Sequence, residues 1–398
     1  MIDFLHRRKN GIEVYMNEKE IGEIRRRTRR DRSNMTSIYG CYVNSQKEII
    51  SEFRRSVGMM PENESEKYFT LLKKTLSGSV GKNLIDISFR TAQVANSPEH
   101  KLLMDLRSSG LKDEDLRMQL YQKIIENFTF DENCLILLGL DTYDVPFKSK
   151  DGENQADASS ETYTYLQCAV CPVKLTKANL CYDGENKEFH DGGTEHIACA
   201  PELGFLFPAF DNRATNIYNA LFYTRSPKHI YENVVDALFK VEPPKPAAEQ
   251  KTAFEALLTR TVGEDCSLDV VQTVHEQLCQ CIEIHKESKV ADPLLVSKEQ
   301  VKMALTTSGV PEQKVAKFGV EFDEVFGNDA QLHPKNIINN KRFEVKTPDV
   351  TITVKSECSD LIETRVIGGV KYIMICADEN VEVNGVNINI RDEDAVGV

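Results

Sequence analysis

The sequence predicts an α+β protein, in which a mixed sheet with helices is followed by a helical segment and a C-terminal antiparallel β tail. Three observations predict this class. Apolar residues recur with helical spacing in several stretches, and β-rich runs lie between them without strict βα alternation. Turn dipeptides such as Asn384-Gly385 then divide the end of the chain into hairpins.

The first elements are a helix and a hairpin. Residues 1–15 have no helix cap and no clear period, so we expect a non-native or disordered extension and a true start at Met16. The stretch NEKEIGEIRRRTRR that follows Met16 predicts a helix. Residues 38–53 contain two β-rich runs around a polar turn, which is the pattern of a hairpin.

Helices and strands then alternate irregularly up to about residue 240. Helical spacing covers residues 68–76 and 116–128, and Ser97-Pro98 has the residue types of a helix start. Alternation at residues 85–89 predicts a half-buried strand, and the run Cys134–Leu140 a buried one. The polar segment 148–161 has the composition of a surface loop, and three β-rich runs follow: TYTYLQCAVCPVKL, ANLCY and ELGFLFPAF.

A proline-rich linker, EPPKPAA at 242–248, separates two predicted regions. We therefore expect an α+β domain at 16–240, a helical segment at 241–335 and a β-hairpin tail at 336–398. In the helical segment, one apolar stripe includes His275, and further helices begin at Ser297 and Pro311. In the tail, Gly368-Gly369 and Asn384-Gly385 each separate two β runs.

Composition restricts the class of protein. The chain has 398 residues and a net charge of -13, from 62 acidic and 49 basic residues, which disfavours adhesion of its whole surface to nucleic acid or anionic membrane. Its longest apolar runs are too short for a bilayer, and charges at residues 6–9 interrupt any signal peptide. Eleven cysteines fit thiols in a reducing compartment. We expect a cytoplasmic protein with no membrane partner.

Basic residues are concentrated in one place. The run from Arg25 to Arg32 contains six arginines and one acidic residue. On a continuous helix, Arg25, Arg29 and Arg32 share one face with Arg26 and Arg30 beside it, and guanidinium groups so placed suit phosphate oxygens. The alternative is a solvated face, or pairing with the protein's own carboxylates.

Possible metal ligands cluster around one predicted strand. Six soft ligands lie within 32 residues: Cys168, Cys171, Cys181, His190, His196 and Cys199. The Cys168–Cys171 pair lies in a continuous β-rich run, where residues three apart face opposite sides of a sheet. Packed thiols are therefore expected, with no cofactor. A zinc site at Cys168, Cys171, Cys181 and Cys199 is the fallback.

Two further patterns have weak chemical content. His275 to Cys279 resembles the helical zinc-protease signature without its second histidine, a pattern more typical of a satisfied core histidine. Asp141, Asp144 and Asp211 follow buried runs and could line an active site, although carboxylates in such positions are more often solvated loop residues.

Long stretches resemble one bacterial family, that of domain of unknown function 4317. The likeness is carried by EIRRRTRRDRSNMTSIYGCYVN, CPVKLTKANL, APELGFLFPAFDNRATNIYNALFYTR and residues 343–388. It implies no activity and no catalytic residue. A weaker likeness is to bacterial nucleoid-associated proteins of about 37 kDa, in the order of an early hairpin, helices, the YLQCAVCPVKL strand, Leu206-Phe-Pro208 and a β tail like FEVKTPDVTITV.

Two functions follow from these observations. The first is a non-enzymatic protein that binds nucleic acid or a nucleoprotein assembly through Arg25, Arg26, Arg29, Arg30 and Arg32. The alternative is a metal-dependent hydrolase that uses Asp141, Asp144 and Asp211 or the cysteine group. The sequence leaves the oligomeric state, the choice between DNA and RNA, and any substrate open.

Overall fold

A computed structural model describes residues 16–129, 131–148, 154–288, 294–328, 330–377 and 381–388. The expectation for residues 1–15 lies outside these ranges. The α+β class is confirmed, with helices, a large sheet and C-terminal hairpins. The chain forms two compact units, which meet in sequence at Ala247 and Ala248. The finer division at residues 240 and 335 stays a prediction.

The first unit is built on one large sheet. The strands of this unit are β1 (Ser37–Val43), β2 (Ile49–Ser56), β3 (Leu84–Ser88), β4 (Asn133–Lys148), β5 (Asn154–Leu175), β6 (Leu180–Asp183), β7 (Glu188–Asp191), β8 (His196–Ala198), β9 (Leu203–Phe207), β10 (Ala209–Asp211), β11 (Ala214–Asn216) and β12 (Asn219–Thr224). Its helices are α1 (Glu18–Arg27), α2 (Glu62–Lys74), α3 (Thr91–Asn96), α4 (Pro98–Ser108), α5 (Glu114–Asn127) and α6 (Glu232–Phe239). The strand order of the sheet is β2-β1-β4-β5-β9-β12-β3, with β8 also paired to β5. All of these pairings are antiparallel, so the expectation of a mixed sheet is corrected to an antiparallel one.

The expectation of a surface loop at 148–161 is wrong for residues 148 and 154–161, which the structure describes as strand. Strand β4 continues to Lys148 and β5 begins at Asn154, while residues 149–153 lie outside the described ranges. The two strands stay paired along this stretch, with Val145 opposite Glu161. Backbone hydrogen bonds between strands do not require apolar side chains, so a polar composition did not end the ladder.

Helix starts follow the capping residues in the sequence. The Asn17 side chain accepts from the N–H of Glu20 while the Glu20 carboxylate accepts from the N–H of Asn17, which is a capping box at the start of α1. The Ser97 side chain caps α4, whose first residue is Pro98. These local devices explain why the early helices begin where the sequence predicts.

Both faces of the sheet are covered. Leu166 and Cys168 of β5 belong to the core cluster that includes α4, α5 and α6, whereas Ala169 and Cys171 belong to the cluster that includes α2. Neighbouring residues of a strand point to opposite faces, so this central strand is buried from both sides. The pair Cys168 and Cys171 is therefore divided between two cores, as its position on a strand predicts.

The second unit combines helices with small hairpins. Its helices are α7 (Ala247–Val262), α8 (Leu268–Ser288), α9 (Lys298–Thr307), α10 (Glu312–Phe326) and α11 (Pro334–Ile337), with 3-10 turns at Gly263–Asp265 and Ser356–Leu361. Its strands are β13 (Val296–Ser297), β14 (Gln331–Leu332), β15 (Arg342–Lys346), β16 (Thr351–Lys355), β17 (Ile362–Ile367), β18 (Val370–Ile375), β19 (Val381–Val383) and β20 (Val386–Ile388). They pair as consecutive two-stranded sheets.

The hairpin predicted at Asn384-Gly385 is confirmed. Asn384 and Gly385 have φ values of 50° and 84°, as a two-residue turn with two positive φ angles requires. Val381 lies opposite Ile388, and Val383 opposite Val386. The helices predicted to begin at Ser297 and Pro311 are confirmed, with these residues at the N-cap positions of α9 and α10. Among the described residues, no helix has both the length and the apolar content that crossing a membrane requires.

Candidate nucleic-acid interface

The arginines do not lie along one helix. Helix α1 ends at Arg27, and Thr28 leaves the helical conformation with ψ of 73°. Both its N–H and its hydroxyl donate to the carbonyl of Ile24, each at 3.0 Å. The chain then turns, with the N–H of Ser33 donating to the carbonyl of Arg29 at 2.9 Å. The helical strip predicted from Arg25 to Arg32 is therefore wrong.

Arg29, Arg30 and Arg32 lie instead in residues 28–33, here called the arginine turn. The Thr28 hydroxyl shares the Ile24 carbonyl with the N–H of the same residue, and such side-chain bonds to the preceding turn often bend a helix. Arg25 and Arg26 remain on the last turn of α1, where positive side chains complement the helix dipole. Five of the candidate residues thus share one short surface segment, divided between a helix end and a turn.

Asp141 holds both ends of the arginine turn. Its carboxylate is buried, and its Oδ1 accepts from the N–H of Asn34 at 2.7 Å. The same oxygen lies 3.5 Å from Nη2 of Arg27, which also donates to the carbonyl of Thr142 at 3.0 Å. The Arg27 guanidinium carbon lies 4.4 Å from the centre of the Tyr143 ring. Asp141 and Arg27 are therefore structural supports of the segment.

Tyr165 completes the surroundings of Asp141. Its hydroxyl donates to Oδ2 at 2.9 Å, inside the core. Burial, together with the Asp141 charge, raises the pKa of Tyr165 well above its ordinary value, so the hydroxyl stays a neutral donor. Every one of these contacts is made by a group of the protein itself. Both carboxylate oxygens of Asp141 therefore hold neighbouring segments of the first unit together.

The remaining arginines differ in their partners. Asp31 lies 3.1 Å from Arg29 and 3.8 Å from Arg32, and all three side chains are more than half exposed. Arg30 donates to the Ser65 hydroxyl at 3.0 Å. Across the part of the chain that the structure describes, Arg25 and Arg26 make no ion pair and no hydrogen bond through their side chains.

The carboxylate that precedes these two arginines in the sequence of α1 is engaged elsewhere. Glu23 accepts from Arg213 at 2.6 Å and from the Tyr143 hydroxyl at 2.7 Å. It therefore does not neutralise Arg25 or Arg26. In an acidic chain, this leaves a local excess of positive charge. Such an excess agrees with the interpretation that the arginines contact phosphate groups, and only partly with pairing to the protein's own carboxylates.

The carboxylates considered for catalysis differ in their exposure and in their contacts. Asp144 is exposed and accepts from the Thr162 hydroxyl at 3.0 Å, whereas Asp211 is buried on β10. Within the described ranges, no group of three or more His, Cys, Asp or Glu side chains is arranged to hold a metal ion. The structure does not assemble Asp141, Asp144 and Asp211 into a metal centre.

The cysteines of the fallback zinc site differ in burial. Cys168 and Cys171 are buried, Cys181 is exposed on β6, and Cys199 lies half-buried after β8. Burial raises the pKa of Cys171 to about 12, which opposes the thiolate form that metal binding needs. All eleven cysteines are free thiols.

His275 is a structural histidine. It is buried on α8, and its Nε2 lies 3.0 Å from the carbonyl oxygen of Asn339. Its ring contacts Phe343 edge to face, with 5.2 Å between ring centres. The core role that the helical stripe predicts for His275 agrees with these contacts.

Sequence reasoning missed one cleft. Its volume is about 480 Å³, and Cys199, Glu202, Arg225 and Tyr231 are among the residues that line it. Arg225 binds Glu202 at 2.8 Å, and burial together with Glu202 raises the pKa of Tyr231 to about 12. No sequence pattern connects residues that come from separate strands and loops, so no signal was available for this cleft.

Comparison with protein families identifies a match over nearly the whole chain. The model of a family described as a domain of unknown function, DUF4317, matches residues 16–386. A search of curated proteins found no match. The resemblance to this family seen in the sequence is thus confirmed, whereas the weaker likeness to nucleoid-associated proteins is not shown.

Proposed function

Because the chain belongs to the DUF4317 family, whose description assigns no activity, we propose a function from the chain's own surface: binding of nucleic acid through its phosphate backbone. The contact residues are Arg25, Arg26, Arg29, Arg30 and Arg32. In this proposal the protein is a cytoplasmic, non-enzymatic binding protein, and its partner is nucleic acid or a nucleoprotein assembly.

The observation that carries the proposal is the state of Arg25 and Arg26. Arg26 is exposed and Arg25 partly exposed, and neither side chain has a carboxylate partner among the described residues of this strongly acidic chain. A guanidinium group donates through a planar fork that fits two phosphate oxygens. Two such groups on one helical turn provide neighbouring contacts for a phosphate backbone.

The fixed backbone of the arginine turn adds to this. Arg27 and Asn34 attach the turn to buried Asp141, and Thr28 attaches it to α1. A binding surface that is already ordered loses less conformational entropy when its ligand arrives. Arg29 and Arg32 exchange Asp31 for phosphate at small cost, because exposed ion pairs contribute little.

The proposal specifies the kind of recognition. Phosphate contacts fix a protein on nucleic acid but read no bases directly. The arginine segment therefore supports binding that is independent of sequence and strongly dependent on salt. The DNA or RNA preference is an outcome of the test.

The test is a titration of duplex DNA and of structured RNA at several salt concentrations. In the double variant Arg25→Gln/Arg26→Gln, affinity should fall for every sequence, and the slope of log K against log salt should become shallower by about 0.9 per lost duplex contact. Thermal unfolding should change little, since both charges complement the dipole of α1 but neither side chain has an ion-pair or hydrogen-bond partner to lose. The matched control is Lys251→Gln/Lys286→Gln, which removes the same charge from exposed positions on α7 and α8.

Two results would overturn the proposal. One is the absence of wild-type binding to either nucleic acid at low salt, where electrostatic attachment is strongest. The other is an equal loss of affinity in the control, which would assign binding to net charge instead of to the arginine segment.

A further inference from the structure

The hairpin of β17 and β18 exposes apolar side chains on both of its faces. Val366, Tyr372 and Ile375 are 67%, 44% and 53% exposed, and only Ile362 at the base is buried among the residues of these strands. In the described part of the chain the two strands form a sheet of their own. An isolated two-stranded hairpin is marginally stable in water, and its open edges can accept another strand.

The two edges of this hairpin are not equivalent. The N–H of Cys376 donates to the carbonyl of Leu361 at 2.8 Å, which fixes the alternation of the ladder. The backbone groups of Lys371, Ile373 and Ile375 consequently face away from β17. On the other edge, the carbonyl of Ile362 already accepts from Gln272 Nε2 at 3.0 Å.

We propose that β18 pairs antiparallel with β18 of a second copy of this chain, about a two-fold axis at Ile373. The result is a four-stranded sheet in the order β17-β18-β18-β17. This partner is inferred because the edge is complementary to itself, as an interface with two-fold symmetry requires.

Hydrogen bonding selects this register. With the axis at Ile373, that residue pairs with its own copy, and Lys371 pairs with Ile375 of the second copy. All three outward-facing residues then meet outward-facing partners. An axis at Tyr372 would place Ile375 opposite Gly369, which lies in the turn and cannot continue the ladder.

Charge and packing agree with the same register. Lys371 does not face its own copy, so no like charges lie directly opposite each other. Tyr372 faces Met374 of the second copy, and both side chains are exposed in the single chain. Glu363 and Arg365 are paired within β17 at 3.1 Å, away from the axis.

The test is sedimentation of the full chain across a range of concentrations. We expect a concentration-dependent dimer for the wild type. Ile373→Lys places two like charges opposite each other on the axis, so the dissociation constant should rise at least tenfold. The matched control is Ile367→Lys, an exposed position on β17 away from the axis, which should leave the dimer intact.

Hydrogen exchange of the wild type tests the edge without any variant. The amides of Lys371, Ile373 and Ile375 should be protected at high protein concentration and exchange faster on dilution. A chain that is monomeric throughout the range overturns the proposal, as does a dimer that Ile373→Lys does not weaken. Protection of these amides that does not depend on protein concentration also overturns the proposal. This result is obtained on the wild type, so it holds even if Ile373→Lys fails to fold.

Discussion

Arg27 and Asn34 approach the same oxygen atom, Oδ1 of Asp141, from the two ends of the arginine turn. The Arg27 Nη2 atom lies 3.5 Å from it, and the N–H of Asn34 donates to it at 2.7 Å. A buried carboxylate in the sheet therefore fixes a surface turn more than a hundred residues away in the sequence.

Asp141→Asn should destabilise the first unit strongly. The substitution removes the partner of a largely buried guanidinium group, and breaking a buried ion pair costs roughly 3 to 5 kcal/mol. Urea unfolding measures the loss. Asp144→Asn is the control, because that exposed carboxylate accepts only from Thr162 among the contacts described. We expect it to change stability by less than about 0.5 kcal/mol. Equal effects would contradict the structural role of Asp141.

Asp31→Asn should increase affinity for nucleic acid. It removes the carboxylate that pairs with Arg29 and Arg32, both of which are exposed. Exposed pairs are worth roughly 0.2 to 1 kcal/mol, so a gain of up to about fivefold is expected. Filter binding or fluorescence anisotropy at fixed salt gives the ratio to wild type. A decrease in affinity would show that Asp31 orders the turn for binding instead of competing with phosphate.

The thiols should fall into two reactivity classes. Iodoacetamide near pH 8 should alkylate exposed Cys181 and Cys376 in the native protein, while Cys41 and Cys171 react only after unfolding. Burial raises the pKa of both buried thiols to about 12, and only the thiolate is nucleophilic. Peptide mass spectrometry assigns the sites. Native alkylation of Cys171 as fast as that of Cys181 would contradict the packing of β5.

The same shifts predict a decline of stability in alkaline solution. The folded chain keeps protons on Cys41 and Cys171 that the unfolded chain loses above the ordinary thiol pKa of 9.0. Their contribution to the free energy of unfolding is therefore complete below pH 9.0 and is lost between pH 9.0 and about 12. Cys41→Ala should make the decline less steep in urea unfolding. An unchanged slope would assign the decline to other groups.

Gly40→Ala should destabilise the β1–β2 hairpin by about 1 to 3 kcal/mol through overpacking. A Cβ atom at Gly40 would lie 2.1 Å from Cζ of Phe53, whose ring covers this position from the neighbouring strand. Gly58→Ala is the control, since nothing lies within 4 Å of its Cβ position. Denaturant midpoints of the two variants should differ clearly. Similar midpoints would mean that Phe53 moves aside easily.

Local chemistry made much of the fold predictable. Ser97-Pro98 and Asn384-Gly385 each specify a backbone conformation within a few residues, so the helix and the hairpin could be located without knowledge of distant contacts. The polar stretch after Lys148 was wrongly predicted because its pairing partner, β4, supplies the hydrogen bonds. Pairing between strands is a tertiary property that composition does not reveal.

The candidate site was predictable in content but not in shape. Six arginines in eight positions are evident in the sequence. Helix α1 ends at Arg27, whose guanidinium group pairs with Asp141, 114 positions away in the numbering. Asp141 was considered for catalysis because it follows a buried run. Its partners Arg27, Asn34 and Tyr165 lie far from it in the sequence, so no local pattern revealed its structural role.

The two attachments of the arginine turn also restrict the length of the chain there. Residues 28–33 span the distance between two groups that must both reach one carboxylate. Side chains in this stretch that point to solvent can be replaced without moving Arg27 or Asn34. An added or deleted residue would separate Asn34 or Arg27 from Asp141. For protein engineering, this turn should tolerate substitutions of its exposed side chains but not insertions, whereas an ordinary surface loop tolerates both.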